Sequence, residues 1–348
     1  MIDWRDRTRV DEIHVRMVDP HNLDIDRGEL EHLILSDCSI SYGYETDTRV
    51  SAKLVTEGCN YIPGSWLRII HKSGDYQKEL GTFVVIDDPS WDYKGGLKIY
   101  SYELQSVLWT LQKDLVLGHL SIGAGAYALD VIKRICNTCG RAYVFNNPNN
   151  YRYSAAKVYE ACDSYLTDTF DICSTSTNRL DVDGHGRITV SQYFAPSQIE
   201  PSWDVVDVDP RTLLLSSGIS GSSNAHEVPS RAIVVYTNGD SEIIAAADRT
   251  SDSPLSAAQR GYTIAEKYQV SDLSPATQAG AQALAQDNLS RNVVTTQLDA
   301  SFLYFPCVPG ETMYLTLGGV KKKYLIKTID PVSLKNPMTI KTTLKEVT

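Results

Sequence analysis

Few residues in this 348-residue chain have the types and spacing from which chemistry is built. Cys136-Asn137-Thr138-Cys139 has the gap of a zinc-ligand or redox pair. A structural zinc needs a second pair at similar spacing, whereas Cys162 and Cys173 stand eleven apart. A redox pair gains from the start of a helix, where the dipole lowers the thiol pKa, and this pair falls at a helix end. These thiols therefore read as buried small hydrophobes. Asp181-x-Asp183-Gly184-His185-Gly186 opens like a calcium loop but lacks the later ligands and the bidentate Glu. Asp-Gly in a hairpin turn accounts for it. Asp87-Asp88 and Asp204, Asp207 and Asp209 offer carboxylates, yet closeness in sequence does not set two of them across a scissile bond. The seven histidines stand apart, no Gly-x-Ser-x-Gly elbow occurs, and the glycines from Gly118 to Gly125 are not followed by the Lys-Ser/Thr of a phosphate loop. The sequence thus assigns no catalytic, cofactor-binding or metal-ligating residue, and it predicts a protein that is not an enzyme.

Composition narrows the classes further. Hydrophobic residues at 42% and charged residues at 22% match a soluble globular chain long enough for two or three domains. No run approaches the roughly 18 apolar residues of a membrane helix, and Met1-Ile2-Asp3-Trp4-Arg5 is no signal core. Cytosolic synthesis follows as the expectation, with export only inside an assembly. Seven widely spaced cysteines, an odd number, predict reduced thiols. A net charge of -10 is poor for gripping phosphates, so tight DNA binding is not expected, which leaves open only surrounding DNA without holding it. Lys321-Lys322-Lys323 reads as a solvated turn.

The elements that would position any site are mostly strands. Ile13–Val18, Ile34–Ser41, Arg49–Thr56, Trp66–His71, Thr82–Ile86 and Leu97–Tyr102 are β-branched or aromatic runs separated by turn residues. They predict a small barrel or sandwich. Helical spacing then appears over Glu103–Leu115, over Tyr127–Cys139 with Gly140 as C-cap, and over Tyr165–Ser174. A hairpin follows, Leu180–Val182 against Arg187–Tyr193, and Phe194–Pro210 reads as a connector. Strands return at Leu213–Ile219, Arg231–Tyr236 and Ser241–Ala246. A helix over Pro275–Asn292, with Ser274 as N-cap and a stripe of Ala281, Leu284, Ala285 and Leu289, is expected to pack on the second barrel. The chain closes with strands over Val293–Phe305, Thr312–Leu317, Tyr324–Ile329 and Met338–Val347. The predicted segments are 1–104, a first β-barrel; 105–210, an α+β insert; and 211–348, a second β-barrel with one packed helix.

An internal repeat links the two β regions. Ile62-Pro63-Gly64-Ser65-Trp66-Leu67 aligns with Val308-Pro309-Gly310-Glu311-Thr312-Met313. Each leads through a polar turn into a second strand, Phe83–Ile86 or Tyr324–Lys327, and then to Asp88-Pro89 or Asp330-Pro331. Proline cannot donate to a ladder, so Asp-Pro is expected to end the return strand. Matching order across about forty residues favours duplication over chance punctuation, and Pro63 should lie over Pro309 and Asp88 over Asp330.

With these residues in view, the chain resembles the tail hub (baseplate hub) proteins of long-tailed phages and contractile injection systems. The likeness is carried by Leu166–Tyr193, by Ser253-Pro254-Leu255-Ser256 leading to Gly261-Tyr262, by Ala279–Leu289, and by Pro306–Glu311 with the closing strands. The resemblance implies a mainly β fold with an α+β insert, in which two related tube barrels form a pseudo-sixfold ring in a homotrimer. That ring joins a sixfold distal tail or tail-tube ring to a threefold tip spike or fibre protein. A tape-measure protein is a further implied partner, and DNA passes through without specific binding or membrane insertion. The implied location is the tail tip of the virion, after synthesis in the bacterial cytoplasm. Many relatives carry a C-terminal lytic or fibre-like extension. The expectation here is a platform ending with its second barrel. Two other classes stay open at this point: a tail-tip cell-wall-degrading enzyme, marked by convergent carboxylates or a metal, and a receptor-binding β protein, marked by an exposed Trp/Tyr patch away from subunit contacts.

Overall fold

In a computed structural model, residues 2–58, 65–207, 209, 212–223, 225–238, 241–270, 277–291 and 296–347 are described. The order begins with β1 (Glu12–Val18), β2 (Asp26–Glu29), β3 (Ser39–Gly43), β4 (Val50–Glu57), β5 (Trp66–Ser73), β6 (Tyr76–Val85), β7 (Ser90–Lys94) and β8 (Leu97–Ser106). There follow α1 (Leu108–Lys113), β9 (Leu120–Ile122), α2 (Ala128–Thr138), β10 (Tyr143–Asn146), β11 (Lys157–Tyr159), α3 (Tyr165–Thr175), β12 (Asn178–Val182) and β13 (Ile188–Gln192). The remainder is β14 (Trp203–Val206), β15 (Leu214–Ser223), β16 (Arg231–Asn238), β17 (Ser241–Asp248), α4 (Ala257–Arg260), β18 (Ala265–Val270), α5 (Gln278–Arg291), β19 (Thr296–Leu303), β20 (Thr312–Leu317), β21 (Val320–Ser333) and β22 (Thr339–Glu346). The protein is mainly β. No helix among the described residues is long and apolar enough to cross a membrane.

Two compact units result. Beside the expected segments 1–104, 105–210 and 211–348, the first unit gathers the first two and the end of the third, as Met1–Ile219 with Asp299–Val347. The second is Ser220–Leu298. It holds the sheet β17-β16-β18, in which β16 and β17 form an antiparallel hairpin and β18 runs parallel to β16. The strand β18 was not foreseen, because a parallel partner leaves no turn signal in the sequence. Here α5 lies on the sheet: Ala281, Ala285 and Leu289 pack on Ala232, Val234, Ala245 and Ala247. This sheet, rather than barrel strands, receives the predicted helix, because alanines on both faces let helix and strands approach closely. Leu284 packs at the margin of that core, only partly buried. The expected cap Ser274-Pro275 and the end at Asn292 lie outside the described residues.

In the first unit the strands follow one hydrogen-bonded path, β15-β19-β22-β21-β3-β4-β8-β6-β5-β1-β2. Two closed barrels were expected, but the described strands make an open path. The reason is local: the outer edge of β3 is taken by the second half of β21, so it is not available to close a ring of the first eight strands.

The expected duplication is legible in the path. Order β3-β4-β8-β6-β5-β1 in the first module matches β15-β19-β22-β21-β20-β14 in the second. With Asp88 set over Asp330, the pair Val84–Gln105 falls on Ile326–Leu344 and Ser90–Ser101 on Val332–Ile340. Two details differ from the expectation. In the first module β6 ends before Asp88-Pro89, as expected, and a further strand, β7, takes up the ladder with β8; in the second, β21 runs through Asp330-Pro331 with a slip in register and continues to Val332–Ser333. A bulge places the proline where no ladder donor is needed. The hairpin before it is one residue out of the sequence alignment: with Phe83 over Leu325, the facing residues are Leu67 and Thr312. Pro63 lies outside the described residues. The sixth strands also differ, since β1 is antiparallel to β5 and β14 is parallel to β20. That strand, β14, occupies what reads in sequence as a connector.

In the insert, Leu108 and Leu111 of α1, Val131, Ile132 and Ile135 of α2, and Leu166, Ile172 and Cys173 of α3 pack with Leu180, Ile188 and Val190 of the β12–β13 hairpin. The core of the insert also takes in Val18 and Trp66 of the first module. The second and third predicted helices appear as expected. The first starts later, because Glu103–Ser106 stay in the ladder between β4 and β6, burying Tyr102, Leu104 and Ser106 by strand alternation.

Candidate functional site: the junctions of the modules

The motifs with chemical potential are dispersed. Cys136 is buried on α2 with Cys173 of α3 nearby, and Cys139 caps the helix. Burial pushes all three thiols up to about 12. Such thiols are inert near neutral pH. Alkylation of the native protein is therefore expected to modify the exposed Cys162 and spare Cys136, Cys139 and Cys173, which peptide mass mapping would check. Among the described residues no group of three His, Cys, Asp or Glu is arranged to hold a metal.

The carboxylates are engaged one by one. Asp204 pairs with Lys321, Asp209 with Arg5, and Asp207 accepts from the Gly318 amide at 2.8 Å. Asp181 accepts from Arg179 (2.6 Å), and Asp183 holds both the amide and the guanidinium of Arg187 (2.8 and 2.7 Å). A cavity of about 410 Å³ opens among Tyr42, Lys78, Glu79, Arg179, Asp181 and Glu311. Its charged groups are also committed: Lys78 donates to the Pro306 carbonyl (3.2 Å), and Glu311 accepts from the Val308 amide (3.2 Å).

One acid departs from this pattern. Asp168, in the first turn of α3, is buried, and neither carboxyl oxygen has a hydrogen-bond partner. Burial, then the charges of Asp163 and Asp171, raise it to about 6. An acid whose folded pKa is raised favours the fold below its unfolded value near 3.8 and loses that contribution as pH rises through about 6. Melting temperature should therefore fall between about pH 4 and pH 6 in the wild type, and Asp168→Asn should flatten that limb. An unchanged slope would show that Asp168 is hydrated in solution.

What the sequence motifs build instead is a set of junctions within the first unit. The Asp183–Gly186 turn of the insert seats against β6. A Cβ on Gly184 would overlap the Glu79 carbonyl, Thr82 Oγ1 donates to the Gly184 carbonyl (2.8 Å), and Arg68 donates to the His185 carbonyl (3.2 Å). From β12 of the same hairpin, Arg179 donates to the Pro309 carbonyl (3.0 Å) and stacks over Tyr44 at 4.4 Å. Gly310 has φ +94 and its missing Cβ makes room for that guanidinium. One hairpin thus clamps the first module at its turn and the second at its Pro-Gly corner.

A buried charged cluster makes another junction. Asp11, 4% exposed, accepts from Arg9 Nε (2.8 Å) and His71 Nε2 (2.9 Å) through Oδ1, and from the Met338 amide (3.1 Å) through Oδ2. Arg9 also donates to the Tyr304 carbonyl (3.1 Å). Residues before β1 are thereby tied to β5 of the first module and, in the second, to the residue after β19 and the residue before β22. Sequence reading missed this cluster, although period-two burial along Leu67, Ile69, His71 and Ser73 would have pointed His71 inward.

The hairpin β7–β8 is different: every residue of β7 is exposed, with Trp91 at 56% and Tyr93 at 68%, and Leu97 at 53% beyond the Gly95-Gly96 turn. In the second module the strand ends at Ser333, the half-buried counterpart of Trp91, and the turn that follows buries Leu334 and Met338 at 0% exposure. It is covered by the first module, where the Cys38 carbonyl accepts from the Leu334 amide (3.3 Å).

No protein-family model and no curated protein matches the chain. Solved structures do. A tail protein from Neisseria meningitidis superposes with a TM-score of 0.69 at 12% identity, over 96% of each chain. A 43 kDa tail protein of a Shewanella oneidensis prophage gives 0.67 at 11%, covering 96% of this chain and 98% of that one. A prophage tail protein from Listeria monocytogenes gives 0.55 at 12%, over 95% and 94%. Over nearly its whole length, then, this chain has the fold of phage tail proteins.

Proposed function

We propose that the protein is a structural component of the virion: a trimeric tail or baseplate hub, without catalytic activity, that joins a sixfold tail-tube ring to a threefold tip. The observation that carries this reading is the repeat within one compact unit, two modules with the same strand order and the same register around Asp88 and Asp330. Three chains then supply six like modules on one face while their unduplicated inserts repeat three times. A closed threefold assembly can in this way meet partners of both symmetries. A distal tail or tube ring fits the six-module face and a spike or fibre protein the threefold one, with a tape-measure protein as a further neighbour. Net charge -10 suits a channel that passes DNA without holding it, because carboxylates repel phosphate.

Native mass measurement tests the reading. A species of three times the 38.6 kDa chain mass is expected. A stable monomer or dimer at assembly concentrations, or release of peptidoglycan fragments by the pure protein, would overturn it.

A further inference from the structure

The first unit contains a junction that it makes once but has the parts to make twice. Within the chain, β20 pairs with β21 only as far as Leu325, and from Thr328 the same edge of β21 is taken by β3, antiparallel, with Ile329 opposite Tyr42 and Val332 opposite Ile40. In the first module β5 likewise pairs with β6 only as far as Phe83. Beyond it the return strand, Ile86 to Lys94, is bonded to β8 on one side and, among the described residues, to no strand on the other. The counterpart of β3 is β15, which ends the sheet path with one edge unpaired among the described strands. Equivalent halves of one junction are therefore both vacant. Free edges of this kind invite pairing with another chain, and addition of a strand is a common recognition mode.

We propose that the outer edge of the first module's return strand, Asp87 to Lys94, receives the first half of β15, Leu214–Ile219, from a second copy of this chain. The bond repeats between chains the β21–β3 pairing made within one. The strands run antiparallel, because β3 and β15 hold the same place and direction in their modules. Antiparallel pairing of these two segments brings Asp87, at the start of one, near Ile219 of the partner subunit, at the end of the other. Exposed apolar side chains on the same hairpin add to this argument: Trp91, Tyr93 and Leu97 lie in solvent, and a neighbouring copy seated on β7 would cover them. The interface is heterologous, head to tail, and closes after three chains if each junction turns the next module by the same angle. The proposal rests on the ring reading given above and adds which strands join the subunits.

Two experiments separate its fate from that of the hub. A double variant carrying Asp87→Cys and Ile219→Cys, treated with a short bismaleimide, is expected to give covalent dimers and trimers on a denaturing gel, with neither single variant doing so. In the tight Gly95-Gly96 hairpin Lys94 and Leu97 form the hydrogen-bonded closing pair, so the amide of Trp91 points away from β8. Trp91→Pro should then abolish the trimer while leaving the monomer's melting temperature within about two degrees, since surface changes cost little. A native trimer that does not cross-link, or that survives Trp91→Pro, overturns this junction and leaves the hub reading standing. Absence of any trimer in the wild type overturns both.

Discussion

Asp11→Ala should destabilise the first unit by about 3–5 kcal/mol, the cost of removing one partner from a buried charge cluster. Arg9 and His71 would remain buried, with Arg9 at 8% exposure and His71 at 0%, and the Met338 amide would lose its acceptor. The size of the effect comes less from lost attraction than from the positive group left without a counter-charge. The pH dependence follows from the same contacts. Burial by itself would raise the Asp11 carboxyl, but hydrogen bonds from His71 and Arg9 outweigh it, so the folded pKa lies below the ordinary 3.8. A carboxylate depressed in this way stabilises the fold above its unfolded value and ceases to do so as pH falls through the folded one. Wild-type stability should thus drop below about pH 4 in a denaturant titration, and Asp11→Asn should lack that component while being weaker at neutral pH. A neutral-pH loss under about 1 kcal/mol would mean that the cluster is solvated and the segment before β1 is not anchored.

Gly184→Val is expected to cost about 1–3 kcal/mol or more, the range for forcing extra atoms into a packed site. Gly184 does not have a positive φ, so the requirement is for space and not for backbone freedom. Its absent Cβ is where the Glu79 carbonyl lies, with the carbonyl carbon 2.9 Å from the ideal position. A backbone neighbour cannot swing aside as a side-chain tip can. The insert turn would have to back off β6, giving up the Thr82 and Arg68 hydrogen bonds together. Hydrogen exchange should show loss of protection around residues 183–187 and along β6, with the core of the insert still protected. Gly123, which has nothing within 4 Å of its Cβ position, provides the control: Gly123→Ala should be close to neutral. Equal behaviour of the two variants would remove the turn from the clamp.

Local elements whose signals are short in range follow from the residues alone. The Asp183–Gly186 hairpin and the helices over Tyr127–Cys139 and Tyr165–Ser174 stand where periodicity and turn residues place them. The sequence also carried the duplication, because Asp-Pro in matching frames interrupts two ladders at the same rung. The same residues could not say what lies beyond that rung. Reading Asp-Pro as an end and not an interruption lost β7 and the length of β21, since proline forbids a donor at one rung but says nothing about the next.

Tertiary structure decided whatever depends on partners distant in sequence. The parallel strands β14 and β18 have no turn to announce them, and Glu103–Ser106 are strand rather than helix because β4 and β6 offer hydrogen bonds on both sides. Which edge of β3 is occupied, and by β21 rather than by a strand of its own module, is a competition between ladders that no local propensity ranks. The Asp183–Gly186 motif shows the division most plainly. Its turn chemistry is written in four residues, while its role as a wedge against Glu79 and Thr82 exists only because the fold brings residues about a hundred apart into contact, where a glycine is the one side chain small enough to fit.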